Sequence, residues 1–290
     1  MNELVIIATL IILILLTVII LDTHRFVVAR EYIRTPKVKG SVKIAFLSDL
    51  HDKHFGKNNE KLLLAVRNEK PDLVLVGGDM ITAKNGERID ETMAFLKELA
   101  RENTVYYGIG NHEYRISLYP ENYGSLNEDF LAGIDEAGIR ILRNEVIEDK
   151  GKNLRIYGSE IDRRFYKRFR QNPMEPEYMK EILRDIDESY FNILLAHNPQ
   201  YFKEYAGWGA DLTLSGHIHG GLVRLPFLGG VVSPMVTFFP KYDGGAFYEN
   251  GKEMILSRGL GTHTIPIRMF NPGELNIIEI NPESDNKNFT

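Results

Sequence analysis

His51, His112, His197, His217 and His219 each fall directly after a short apolar run, which leaves only His24, His54 and His263 of the eight histidines outside that pattern. The clusters read Ser48-Asp49-Leu50-His51, Gly77-Gly78-Asp79, Gly110-Asn111-His112-Glu113, His197 alone, and Gly216-His217-Ile218-His219. Asp49, His51, Asp79, Asn111, His197, His217 and His219 together offer seven oxygen and nitrogen donors, enough for two metal sites rather than one. In extended chain, residues i and i+2 point to the same side, so Asp49-x-His51 and His217-x-His219 could each grip one cation. A single carboxylate has two oxygens and can bridge two cations, the natural role for Asp79. Asn111 adds a neutral carbonyl oxygen that limits the negative charge. The chain has no cysteine, which excludes disulfides, thiolate zinc sites and cysteine nucleophiles. Mixed His, Asp and Asn donors without sulfur favour two divalent ions of the Mn, Fe or Zn type over Ca or Mg, with Mn²⁺ first.

Donors spread over 170 positions must be gathered by the fold. Apolar runs at 42–47 (VKIAFL), 73–76 (LVLV) and 105–109 predict strands, and helical spacing of apolar residues over 58–68 and 88–101 predicts helices between them. Strands alternating with helices imply βαβ units and a largely parallel sheet. In open α/β sheets the carboxyl ends of the strands share one rim, and every donor cluster here ends a strand. The second half repeats the scheme, with strands at 154–157, 191–195 and 212–214 and a helix at 177–188. Short alternating strands near 246–248, 253–257 and 275–280 predict an antiparallel second sheet packed on the first.

The balance of 35 Lys and Arg against 40 Asp and Glu gives a net charge of −5, which excludes a nucleic-acid binder relying on bulk positive charge. Residues 4–21 are Leu, Val, Ile and Ala interrupted only by Thr9 and Thr17. At about 1.5 Å per residue these eighteen span roughly 27 Å, close to the hydrocarbon thickness of a bilayer. A cleavable signal peptide wants basic residues before the apolar run and small residues after it, whereas only Asn2 and Glu3 precede this one. Arg25, Arg30, Arg34, Lys37, Lys39 and Lys43 follow it and place the body on the cytoplasmic side of the cell membrane. The expected organisation is an anchor over 1–21, a basic linker over 22–40, a catalytic domain over 41–282 and a disordered tail over 283–290.

The ordered set D-x-H, G-D, G-N-H-E, H and G-H-x-H resembles the calcineurin-like metallophosphoesterases over most of the soluble body. Gly216-His217-Ile218-His219-Gly220-Gly221, the run from Phe239 to Gly244, the run from Ser257 to Gly261 and Pro266-Ile267-Arg268 are similar to the membrane-anchored bacterial branch that includes lipid-sugar pyrophosphatases. The resemblance implies an α/β fold, a two-sheet β-sandwich flanked by helices, here preceded by one transmembrane helix. It implies one metal on Asp49, His51, Asp79 and His219, a second on Asp79, Asn111, His197 and His217, and His112 beside the leaving oxygen. Glu113 either orients His112 or is a surface residue. Arg258 and Arg268 are candidate phosphate contacts. Many relatives carry an acidic residue where this chain has Thr82, and often Gln where it has Leu222. Two cations sharing a water would lower its pKa and furnish a hydroxide for attack on phosphorus. The expected substrate is a phosphodiester or pyrophosphate, lipid-linked where the apolar stretch 222–239 dips toward the bilayer. The alternatives are a phosphodiesterase of soluble nucleotides or cyclic nucleotides, and a membrane-bound binding module with a silent site.

Overall fold

The computed structural model describes residues 3–167, 171–225, 227–232, 238–262 and 265–283. The first half of the described chain holds α1 (Glu3–His24), β1 (Phe26–Thr35), β2 (Val42–Leu47), α2 (Glu60–Glu69), β3 (Leu73–Val76), α3 (Asp90–Glu102), β4 (Val105–Gly108), α4 (Asn111–Leu118), α5 (Leu126–Glu136) and β5 (Arg140–Leu142). The second half holds β6 (Glu145–Asp149), β7 (Leu154–Gly158), α6 (Tyr178–Leu183), β8 (Phe191–Leu195), α7 (Phe202–Trp208), β9 (Leu212–Ser215), β10 (Val223–Leu225), β11 (Gly229–Val232), β12 (Gly245–Glu249), β13 (Lys252–Leu256) and β14 (Gly273–Pro282).

Two six-stranded sheets form, in the orders β1-β14-β2-β3-β4-β5 and β12-β13-β9-β8-β7-β6. β2 through β5 run parallel, as do β7, β8, β9 and β13. Central strands of this kind are buried on both faces, which is why they read as unbroken apolar runs. Ile44, Phe46, Leu75, Ile193, Leu195, Leu214 and Ile278 fill the space between the sheets. The opposite face of the first sheet carries α2, α3 and α5 through Leu62, Val66, Phe95, Leu96 and Phe130. The second sheet carries α6 and α7 through Met179, Leu183, Tyr201 and Tyr205. The result is the expected α/β fold with two sheets flanked by helices.

Three expectations change. The stretch 22–40 is not an unpatterned linker, because Phe26–Thr35 pairs with Gly273–Pro282 over ten residues and closes the first sheet as its edge. Three of its five Lys and Arg residues are ion-paired: Arg25 to Asp22 of α1, Arg30 to Glu69 and Lys37 to Asp211. The helix expected over 177–188 ends at Leu183, where Arg184 turns the chain at φ 67° and its carbonyl accepts the Trp208 indole N–H at 2.8 Å. The short C-terminal strands do not form a separate antiparallel sheet, because β14 joins the first sheet beside β2 and β13 runs parallel to β9 in the second. Within 222–239, β10 and β11 form a hairpin whose tip exposes Phe227 and Leu228, followed by exposed Phe238 and Phe239. Met235 and Val236 of that stretch, His263, and tail residues 284–290 lie outside the described residues.

One helix among the described residues, α1, is long and apolar enough to cross a membrane. Its foot is tied to the body where the Arg268 N–H donates to Thr23 Oγ1 at 3.2 Å.

Candidate metal centre

The donor clusters lie just beyond the carboxyl ends of β2, β3, β4, β8 and β9, so the parallel strands deliver them to one rim. Asp49 and His51 sit at φ 54° and 48°, Asp79 at 54°, and His217 and His219 at 75° and 56°. The strand alternation invoked for the D-x-H and H-x-H pairs is therefore not what aligns them. Each pair occupies a tight left-handed turn, a conformation that non-glycine residues adopt only where the surroundings hold it. Gly78 and Gly110 make the crossing of two such turns possible: a side chain on Gly78 would overlap the Gly110 backbone, and one on Gly110 would overlap Asp79.

Three overlapping donor groups result among the described residues: Asp49, His51 and His219; His51, Asp79 and His112; and Asp79, His197 and His217, each with ligand atoms within 4.8 Å of one another. Asp79 Oδ2 is 3.1 Å from His197 Nε2 and 3.9 Å from both His51 Nε2 and His112 Nε2, so it stands between the groups. Asp49 Oδ1 is 3.4 Å from His219 Nε2, and Asp49 is also gripped by the Ser48 hydroxyl at 2.6 Å and the His217 N–H at 3.0 Å.

Backbone carbonyls fix the imidazoles. His51 Nδ1 faces Ile81 O at 3.2 Å, His197 Nδ1 faces Gly77 O at 2.7 Å, His219 Nδ1 faces Gly261 O at 3.3 Å, and His112 Nδ1 contacts Thr82 O. A carbonyl only accepts, so each Nδ1 carries the hydrogen and each Nε2 lone pair is turned into the site. The backbone of Thr82 thus supports His112.

Two features test whether cations fit. The Nε2 atoms of His51 and His219 approach to 3.2 Å, and with both rings donating through Nδ1 their lone pairs repel unless positive charge lies between them. The Oδ1 of Asn111 is buried and has no hydrogen-bond partner among the described residues, a cost that a cation would remove. The electrostatics agree. Burial drives the Asp49 carboxyl up to about 6 against the pull of His197. Asp79, equally buried, is held well below the usual carboxylate range by the charges of His197, His112 and His51. Burial lowers the basicity of His197, but Asp79 and Asp49 outweigh it and push its pKa up to about 10. The donors fit divalent cations.

A model of the family described as calcineurin-like phosphoesterase matches residues 42–221. The chain belongs to the calcineurin-like phosphoesterases. This family consists of enzymes that bind divalent metals and hydrolyse phosphoesters. The phosphoesterase is 31% identical over 264 residues to an uncharacterized metallophosphoesterase of Aquifex aeolicus, covering 90% of this chain and 94% of that one. It is 25% identical over 227 residues to the phosphodiesterase YaeI of Escherichia coli, covering 76% and 75%. Among solved structures, the NAD nucleotidase of Haemophilus influenzae aligns with a TM-score of 0.43 at 16% identity, over 74% of this chain and 50% of that chain.

Other candidate residues of the phosphoesterase take different places. Glu113 is neither a surface residue nor a partner of His112. It is fully buried and accepts the N–H groups of Asp79, Met80 and Gly110 at 2.9, 2.9 and 3.1 Å and the Tyr107 hydroxyl at 2.7 Å. It therefore holds the turn that presents Asp79. Arg258 and Arg268, the candidate phosphate contacts, are engaged by partners within the body. Arg258 grips Glu274 at 3.1 Å, and Arg268, 2% exposed, donates to the carbonyls of Arg258, Gly259, Gly261 and Asn271. Arginine there locks the C-terminal loops beneath His219.

A cavity of about 520 Å³ opens from His51, Asp79, Asn111, His112, His217 and His219. Arg115, Arg163, Arg164 and Lys167 line the rest of it with Tyr114, Tyr166 and Leu118. The sequence reading passed over these cations, although two signals were present. Arg115 lies four residues after Asn111 on α4 and so shares its face, and Arg163-Arg164-Phe165-Tyr166-Lys167 is a basic cluster.

Proposed function

We propose that this phosphoesterase hydrolyses a phosphodiester or pyrophosphate bond with two divalent cations, Mn²⁺ foremost, and that its substrate is lipid-linked. The observation that carries the reading is the set of overlapping donor groups that meet at Asp79. In this assignment Asp49, His51, Asp79 and His219 hold one cation, and Asp79, Asn111, His197 and His217 hold the other. Such a pair of cations supplies acidification of a shared water and neutralisation of phosphoryl charge. Asp79 and Asp49, desolvated beneath the cavity floor, set the charge that holds the cations. His112 enters the same cavity with Nε2 toward Asp79 and Nδ1 anchored on Thr82, and its role is to pass a proton from Nε2 to the leaving oxygen in the imidazolium form, which burial disfavours and the charge of Asp79 favours. Such a general acid contributes about 10² to 10⁴ in rate. A relative named as a phosphodiesterase supports a diester over a monoester.

The membrane side of the reading rests on α1 and on what surrounds its foot. The segment bearing Arg268, which contacts Thr23, is bonded to the β10–β11 hairpin through Met269 N–H to Leu222 O at 3.0 Å and Arg224 N–H to Met269 O at 3.0 Å. Phe227, Leu228, Phe238, Phe239, Ile267 and Phe270 are exposed on these two linked segments. An exposed apolar collar beside a membrane-spanning helix is suited to the interfacial layer of a bilayer. The basic residues after α1 support a cytoplasmic orientation of the body.

The test uses the full chain in detergent with bis(p-nitrophenyl) phosphate, p-nitrophenyl phosphate and added Mn²⁺. The reading expects Mn²⁺-dependent cleavage of the diester that Asn111→Ala abolishes while circular dichroism is retained. Wild-type turnover in Asn111→Ala, or no metal dependence, overturns it.

A further inference from the structure

Beyond the metal donors, the cavity is lined by four cations and no carboxylate other than Asp79. Arg164 is already engaged, with Glu175 at 3.0 Å. Arg163 stacks on the Tyr119 ring and donates to its hydroxyl, a neutral partner that fixes the guanidinium without cancelling its charge. Arg115 and Lys167 have no carboxylate within ion-pair distance among the described residues. Most other surface cations here are paired, as Arg67 is with Glu102, Arg155 with Glu148 and Lys97 with Glu136. In a chain of net charge −5, three cations left without acids around one cavity form a local reversal of sign.

A singly charged diester bound at the metals would leave that positive charge partly desolvated and uncompensated, which costs free energy. A second phosphate would satisfy it, since guanidinium forks match phosphate oxygens two at a time and an ammonium serves as a point charge. The volume, about 520 Å³, is in the range that takes a headgroup of nucleotide size.

We propose that Arg115, Arg163 and Lys167 bind a second phosphate of the substrate, beyond the phosphorus that is cleaved, and so select doubly phosphorylated substrates over simple diesters. This rests on the reading of the site as a dinuclear phosphoesterase and narrows its substrate class. Arg115 is anchored one helical turn after Asn111, so the spacing of the second phosphate from the scissile one is set by α4. These three residues determine specificity, with no part in bond cleavage.

Binding of non-hydrolysable ligands to the Mn²⁺-loaded full chain, measured by calorimetry, tests this. Methylphosphonate reports the metal site alone, methylenediphosphonate adds an adjacent second group, and propane-1,3-diphosphonate adds a separated one. At least one diphosphonate binds about tenfold or more tightly than methylphosphonate in the wild type, and the one that does tells whether the second phosphate is adjacent or remote. That ratio falls about tenfold in Arg115→Gln/Lys167→Gln and recovers in part when Lys167→Arg replaces Lys167→Gln. A ratio unchanged in the double variant overturns the second-phosphate site while leaving the phosphoesterase reading intact. Failure of the wild type to bind methylphosphonate in a metal-dependent way overturns the phosphoesterase reading itself.

Discussion

Glu113 shows how one buried side chain that is not itself a donor sets the position of the candidate metal donor Asp79. Its carboxylate gathers three N–H groups and a phenol, and one of those N–H groups belongs to Asp79. Glu113→Gln keeps the shape but turns an amide N–H₂ toward donors, leaving at least one of them unsatisfied. It is expected to lower stability by about 1–3 kcal/mol in urea unfolding and Mn²⁺ affinity by about 10- to 100-fold. A variant equal to wild type in both would mean that the Asp79 turn is held by the backbone alone. Residue type and order were enough to point to the donors, because few chemistries need His, Asp and Asn at the ends of successive strands. Their local geometry was not legible, since positive φ at Asp49, His51, Asp79, His217 and His219 is imposed by neighbours far along the chain. The burial of Arg268 was equally hidden, because its four carbonyl partners come from loops whose approach only the tertiary fold defines.

β1 carries the clearest lesson at the scale of elements. The sequence FVVAREYIRT mixes apolar and charged residues because an edge strand buries only part of its surface, and Ile33 and Thr35 are its buried members. The central strands announced themselves as apolar runs, and α2 and α3 by their spacing. α4 and α5 escaped notice: α4 is eight residues opening on site polar residues, and α5 is a short amphipathic helix among loops. The body therefore begins at Phe26 rather than Ser41. A fragment of residues 22–290 is expected to unfold cooperatively, whereas 41–290 strips ten paired residues from β14, uncovers Leu275 and Ile277, and aggregates. Size-exclusion chromatography and thermal melts of the two fragments check this. A soluble, cooperative 41–290 would show that β1 is dispensable.

Across the whole molecule, the two sheets put the donor rim between two contrasting surfaces. One is the cationic lining of the cavity, and the other is the set of exposed apolar side chains on the segments linked through Arg268 to the foot of α1. Such an arrangement suits a substrate with an anionic head and an apolar tail. Replacing Phe227, Phe238 and Phe239 with Ser is expected to lower turnover of a vesicle-embedded lipid pyrophosphate about tenfold relative to a soluble aryl diester, since each phenyl ring withdrawn from the interface forgoes about 2 kcal/mol at most. An unchanged ratio would detach the collar from substrate delivery. The measurement that bears most directly on the central claim, a dinuclear centre bridged by Asp79, is the metal content of the purified full chain by elemental analysis after Mn²⁺ loading and gel filtration. Two ions per chain in the wild type, falling to one or none in Asp79→Asn together with loss of diester hydrolysis, is the result predicted. A single ion in active wild type, or two ions retained by active Asp79→Asn, would contradict it.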